Sequence, residues 1–293
     1  MKENRVIGVD LGGTKILAGI VGADGTVRET AERPTVTSSE EELLDEIAAV
    51  VRDLPLDGVA AVGFGVPARV DQQTGVALGA VNIPLDDVAF RSEMERRLGL
   101  PVAIENDAGV AAYAEFKLGA GRGTRDLVLL TLGTGVGGGV VIDGSLYHGW
   151  AELGHIVVVA DGEPCQGRCT GRGHVESYCS GTAADRLARK ELGPEANAHD
   201  LVKQRHESLG QVGHLLGVAI GSLINIFNPQ VVLVGGGFGI AAFDLLEPAA
   251  RRAIELEALA PAGAEIVLRP AELGASAGLI GAGLIAIDLA AGL

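Results

Sequence analysis

A glycine-rich turn between two short apolar strands occurs twice in this chain, and that repetition limits the folds open to it. The first copy reads Asp10-Leu-Gly-Gly-Thr-Lys15 and the second Leu132-Gly-Thr-Gly-Val-Gly-Gly-Gly139. Strands are predicted at 5–10 and 15–21 around the first turn, with 27–32 extending the hairpin, and at 127–132 and 138–142 around the second. Helical and extended patterns then alternate in both halves. The first half predicts helix 40–53, strand 58–65, helix 86–98, strand 102–105 and helix 107–118. The second predicts helices 183–191 and 207–227, strand 231–234, helix 241–256, strand 265–268 and helix 276–289. Two halves of this kind predict a duplicated mixed α/β architecture with a cleft between them, where ligands bind by preference.

With 293 residues the chain is long enough for two domains and a generous core. Its net charge of −15 argues against a nucleic-acid partner, because phosphate backbones select basic surfaces. The most apolar stretch, Val212 to Val234, is interrupted by His214, Ser222, Asn225, Asn228 and Pro229, so it reads as a buried helix running into a strand and not as a membrane span. No charged segment followed by an apolar one marks the start as a secretory signal. The three cysteines are an odd number, and Cys165 and Cys169 lie four apart, which suits a metal in a reducing, cytoplasmic compartment better than a disulfide framework.

The two turns carry oxyanion chemistry. Gly12 and Gly13 let the backbone offer its N–H groups, Thr14 adds a hydroxyl, Lys15 a charge, and Asp10 can hold a hydrated magnesium ion. Gly133, Thr134 and Gly135 are the counterpart in the second half. That run is not a P-loop, since no Gly-Lys-Ser/Thr follows, nor a dinucleotide fingerprint, since a strand comes next. Gly235, Gly236 and Gly237 end a strand and lead toward a helix, as an adenosine-contacting turn would. Asn106-Asp107 follows a strand and opens a helix, which suits either a rigidly held general base or a plain helix cap. His155, Cys165, Cys169 and His174 supply two imidazoles and two thiolates, the donor set of a closed structural zinc site, and Glu176 follows the last of them by two residues. Cys179 is left over and reads as a small buried residue.

Together these motifs resemble the ROK family of sugar kinases within the actin-like ATPase (ribonuclease H-like) fold. The resemblance runs through Asp-x-Gly-Gly-Thr-Lys at 10–15, Gly-x-Pro at 65–67, Asn-Ile-Pro at 82–84, Glu-Asn-Asp-Ala at 105–108, the glycine run at 132–139, Glu-x-Gly-His at 152–155 and the cysteine knuckle. It implies an α/β fold of two domains with a central cleft, one over 1–117 completed by helix 276–293, the other over 118–275 with a zinc-binding loop at 155–176. It implies ATP-dependent phosphorylation of a hexose at its 6-hydroxyl, glucose first, by a cytoplasmic homodimer or homotetramer. Asp107 would be the base, while Gly65, Asn82, Asn106, Asp107, Glu152, His155 and Glu176 would hold the sugar. His155 would serve both sugar and zinc. The turns at 10–15 and 133–135 would hold the phosphates of magnesium-ATP.

Close alternatives are a broad hexokinase, a fructokinase, an N-acetylhexosamine kinase or a weakly catalytic sugar-binding protein. Repressors of the same family would carry a helix-turn-helix segment ahead of Asp10 and would meet DNA, which the acidity disfavours. Three departures stand out. Cys165 and Cys169 are separated by three residues where one is usual, Ala68 follows Gly-x-Pro where glycine is common, and Gly-Trp-Ala-Glu replaces Ala-Gly-Glu before Glu152, so that a glycine is lost.

Overall fold

Strand-forming runs rich in valine, isoleucine and leucine, cut by glycine turns, set the frame of the structure, a computed structural model that describes residues 5–80 and 82–292. The first half contains β1 (Arg5–Leu11), β2 (Lys15–Val21), β3 (Val27–Pro34), α1 (Glu40–Arg52), β4 (Val59–Val66), β5 (Ala68–Asp71), β6 (Val76–Ala80), α2 (Phe90–Leu98), β7 (Val102–Asn106) and α3 (Asp107–Leu118). The second contains β8 (Leu127–Leu132), β9 (Val136–Ile142), β10 (Ser145–Leu146), α4 (Glu176–Cys179), α5 (Gly181–Leu192), α6 (Ala198–Lys203) and α7 (Leu209–Phe227). It continues through β11 (Val231–Gly235), α8 (Gly237–Glu257), α9 (Ala262–Glu265), β12 (Val267–Pro270) and α10 (Ala277–Ala291).

Two compact units divide the chain. The first runs to Leu118 and adds His148–Trp150 and the segment from Ser276 onward; the second holds Gly119–Tyr147 and Ala151–Ala275. Each is built on a five-stranded sheet, ordered β3-β2-β1-β4-β7 in one and β10-β9-β8-β11-β12 in the other. In both, the central strand pairs antiparallel with the strand across its glycine turn and parallel with its other neighbour. The duplication therefore extends to strand order and direction.

Ile7, Leu43, Ile47, Phe64 and Phe90 sit in the core of the first unit, and Leu130, Val140, Leu216, Ile220 and Val232 in that of the second. Helix starts carry the expected caps: Ser39 accepts from Glu42 N–H, and Ser180 from Ala183 N–H. Helix α10 reaches both the first sheet and α3 backbone to backbone. A Cβ on Gly63 would lie 1.9 Å from Ala282 O, and one on Gly281 equally close to Val110 O. Only glycine permits that approach.

By length and composition, Leu209–Phe227 and Gly274–Ala291 could each cross a membrane. Both pack as core helices here: α7 buries Leu216, Ala219, Ile220 and Leu223 within the second unit, and α10 buries Leu279, Ala282 and Ala286 within the first. Several boundaries differ from the sequence expectation, three of them as follows. Helix α2 starts at Phe90 rather than 86, because Asp87 has φ 55° and Val88 N–H donates to Ala77 O at 3.1 Å. Helix α8 starts at Gly237, directly after Gly236 at φ 77°. The residues expected as strand 265–268 instead close α9 and open β12 at Val267.

Candidate active site

Strand register places the first unit's polar groups side by side. Asp10 of β1 pairs with Gly65 of β4, which pairs in turn with Glu105 of β7. All three lie at the carboxyl ends of parallel strands, where α/β sheets bind ligands. The turn after Asp10 is closed by Gly12 N–H donating to Lys15 O at 3.0 Å, and it is pinned from outside by Thr35, whose Oγ1 donates to Gly12 O at 2.7 Å. Gly13 and Thr14 stay exposed, and a Cβ on Gly13 would lie 3.9 Å from Asn82 Cβ, so Asn82 stands beside this turn. Burial raises the Asp10 pKa, with the Lys15 charge pulling the other way. Lys15 itself pairs with Glu32, Nζ to Oε2 at 2.8 Å.

At the β7–α3 junction the capping work falls on Asn106. Its Oδ1 accepts from Ala108 N–H at 2.9 Å and Gly109 N–H at 3.2 Å, while its Nδ2 donates to Ala68 O at 3.3 Å. Asp107 is thus the first helical residue, with Oδ1 accepting from Ala108 N–H at 2.8 Å. Beneath the pair, buried Glu105 accepts from Asn106 N–H at 2.7 Å, Gln72 Nε2 at 2.8 Å and His148 Nδ1 at 3.0 Å. The hydrogen bond to Glu105 raises the His148 pKa. Trp150 lies under Arg69, with the guanidinium carbon 4.8 Å from the ring centre.

The second unit holds the other predicted groups. Gly133 and Thr134 line a cavity of about 310 Å³ together with Gly181, Thr182, Asp185, Ala198, Gly237 and Phe238. Three helix starts, those of α5, α6 and α8, contribute to its wall, an arrangement suited to anionic groups. Gly237 lines the cavity, while Gly236, the α8 cap, sits where a Cβ would meet Leu132 at 2.5 Å. Sequence reasoning missed Gly181, Thr182, Asp185 and Phe238. The available signal was Ser180 as a cap, which puts Gly181 and Thr182 in the first turn.

Glu152 and His155 flank a tight turn whose Gly154 touches the start of β9: a Cβ there would lie 2.0 Å from Val136 O. Glu152 Oε2 is 4.0 Å from His155 Nε2. Glu176 opens α4 and accepts Val136 N–H through Oε2 at 2.8 Å.

The donor atoms of His155, Cys165, Cys169 and His174 all lie within 4.8 Å of one another. His155 Nδ1 to His174 Nδ1 is 3.2 Å, and each sulfur is 3.7 Å from one of those nitrogens, Cys165 from His155 and Cys169 from His174. A tetrahedron with zinc-like bond lengths has edges of about 3.3–3.8 Å. The residues therefore fit zinc despite the wider cysteine spacing. Burial pushes the Cys165 thiol up to about 11 and the His174 imidazole down, so a cation would be needed to draw the thiol into its anionic form.

The model of the ROK family matches residues 6–289. A glucokinase from Streptomyces coelicolor is 34% identical over 94% of this chain and 95% of that protein. Among solved structures, a ROK family glucokinase from Streptomyces griseus in complex with glucose and AMPPNP is 33% identical with a TM-score of 0.83, covering 96% of this chain and 99% of that one. A ROK hexokinase from Thermus thermophilus is 32% identical with a TM-score of 0.82, covering 99% and 100%.

Proposed function

This chain belongs to the ROK family, and from that premise we propose that it is an ATP-dependent glucokinase acting on the 6-hydroxyl of glucose. Its fold is that of the actin-like ATPases. In this reading the sugar hydroxyl attacks the γ-phosphoryl of ATP in line, and Asp107 takes the hydroxyl proton. Positioning and charge neutralisation supply most of the barrier reduction. Gly65, Asn82, Asn106, Glu152, His155 and Glu176 hold the sugar. The turns at 10–15 and 133–135 hold phosphates, and Gly235–Gly237 borders the adenosine.

Asp10 would hold magnesium, which neutralises charge on the phosphates when bound. The desolvation that raises the Asp10 pKa is what a bound cation would offset. His155, Cys165, Cys169 and His174 would hold zinc, which supplies rigidity to the 155–176 loop. A cytoplasmic homodimer or homotetramer without nucleic-acid or membrane partners completes the proposal.

The observation that carries this reading is the division of work at the β7–α3 junction. Asn106 takes two N–H groups of the helix start, and Asp107, which shares the Ala108 N–H, is a rigidly mounted carboxylate at a strand end. A hexokinase of wider range is the second reading, favoured by the likeness to the Thermus thermophilus hexokinase.

One assay tests both. Turnover with ATP would be measured across glucose, mannose, fructose, N-acetylglucosamine and N-acetylmannosamine for wild type and Asp107→Ala. Glucose should give the highest kcat/KM, and the variant should lose roughly 10²–10⁴-fold in turnover. Wild-type turnover by Asp107→Ala sinks the assignment of the base. Equal rates on several hexoses select the broader enzyme, and no turnover on any sugar selects a binding protein.

A further inference from the structure

The glycine loop at 133–136 is held almost entirely by one short stretch of the same unit, residues 176–182. Gly133 O accepts Gly181 N–H at 2.7 Å, and Thr134 O accepts Thr182 Oγ1 at 2.8 Å. Val136 N–H donates to Glu176 Oε2 at 2.8 Å. Within the loop, Gly133 N–H closes onto Gly135 O at 3.0 Å. Loops rich in glycine have many backbone conformations open to them. External bonds at successive peptide groups therefore decide which one is populated.

Glu176 is the charged member of that set, and it is also close to the loop's outer surface. A Cβ on Gly135 would fall 2.3 Å from Glu176 Oε2. Gly135 keeps φ outside the left-handed range, so its lack of a side chain serves the approach of this carboxylate and not the backbone conformation. The backbone at Glu176 is anchored by Gln166, whose Nε2 donates to the Glu176 main-chain carbonyl O at 3.2 Å and to Ser180 Oγ at 2.7 Å.

We propose that Glu176 is a positioning residue for the nucleotide as well as a contact for the sugar, so that occupancy of one site is felt at the other through the Val136 N–H bond. The proposal rests on the kinase reading above. One carboxylate oxygen, Oε2, fixes the phosphate loop, while Oε1, 3.8 Å from Cys165 Sγ, is the one a sugar hydroxyl would meet. A sugar that draws on the carboxylate changes the loop's anchor, and a nucleotide that orders the loop fixes the carboxylate for the sugar. Linkage makes the effect reciprocal in binding free energy.

The test is binding and not turnover, with the full chain titrated calorimetrically by a non-transferable ATP analogue with magnesium in the absence of sugar, and by glucose in the absence of nucleotide. Glu176→Ala should weaken the analogue roughly ten- to a hundredfold, the range for loss of a hydrogen bond to a charged acceptor. Glu176→Gln, whose amide oxygen can still accept from Val136 N–H, should hold the analogue close to wild type while losing glucose. Gly135→Ala, altered only in the loop, should weaken glucose by displacing the carboxylate. If wild type binds the analogue and Glu176→Ala binds it equally well, the inference is overturned. Should Glu176→Ala not fold, the Gly135→Ala arm decides, and unchanged glucose affinity overturns it. Absence of analogue binding to wild type would instead reject the kinase reading itself.

Discussion

Asn106 and Asp107 divide two tasks that an acidic helix start often gives to one residue. The carboxamide of Asn106 accepts from Ala108 and Gly109 N–H, and the Asp107 carboxylate shares only the first of these. The sequence left base and cap open at this pair, since both residue types favour helix starts. What it could not reveal is Glu105's role beneath them, because its partners Gln72 and His148 lie 33 and 43 positions away. A second residue, Ala151, was legible only as an oddity. The resemblance places a glycine just before the glutamate, and alanine stands there with φ 45°. A side chain in the left-handed region costs about 1–2 kcal/mol, more than the freedom glycine gains in the unfolded chain. Ala151→Gly should therefore stabilise the protein by about 1 kcal/mol, on the order of 2 °C in melting temperature. A lower melting temperature for the variant would show that Ala151 is unstrained.

At the scale of elements, strands and long helices were readable from apolar periodicity, and the errors cluster where glycine or aspartate changes the backbone. The acids at 86–87 look like a helix start, yet Asp87 turns left-handed and Val88 is drawn into pairing with Ala77. The knuckle loop is the opposite case: its donors were legible from residue type, although the loop has little regular structure. Isolated bridges join Val157 to His174 and Pro164 to Arg172, and a few further backbone bonds, such as Gly173 N–H to Glu163 O at 2.8 Å, cross it. A zinc held by its four donors would staple such a segment, from which α4 and α5 follow directly. Purified protein should therefore contain about one zinc per chain, as a closed four-ligand site does. Stripping the metal with a chelator, or Cys169→Ser, should lower the melting temperature and weaken the nucleotide analogue together. A metal-free protein with unchanged melting temperature would remove zinc from the account.

For the whole molecule, the repeated glycine turn foretold a duplicated α/β chain, and strand order and direction bear the fold out. It could not foretell which stretch of chain joins which core, because that depends on contacts distant in sequence. The first unit is assembled from separate stretches, and the smallest, His148–Trp150, is held by the His148–Glu105 pair and by Trp150 against Arg69. This gives the molecule a pH dependence whose sign can be worked out. The Glu105 hydrogen bond raises the His148 pKa above its ordinary value of 6.5, so the folded state holds that proton more tightly than the unfolded chain does. Stability from the pair is fully present below that ordinary value and is lost as pH rises through the higher folded-state one. The His148 side chain is 59% exposed, so solvent screening keeps the effect small. Melting temperatures from pH 5.5 to 8.5 for wild type and His148→Gln isolate it from every other titrating group. The wild-type advantage should shrink on going to alkaline pH. An advantage that grows with pH, or stays constant, would mean that His148 binds Glu105 without its proton and that the mid-chain segment is fastened by Trp150 alone.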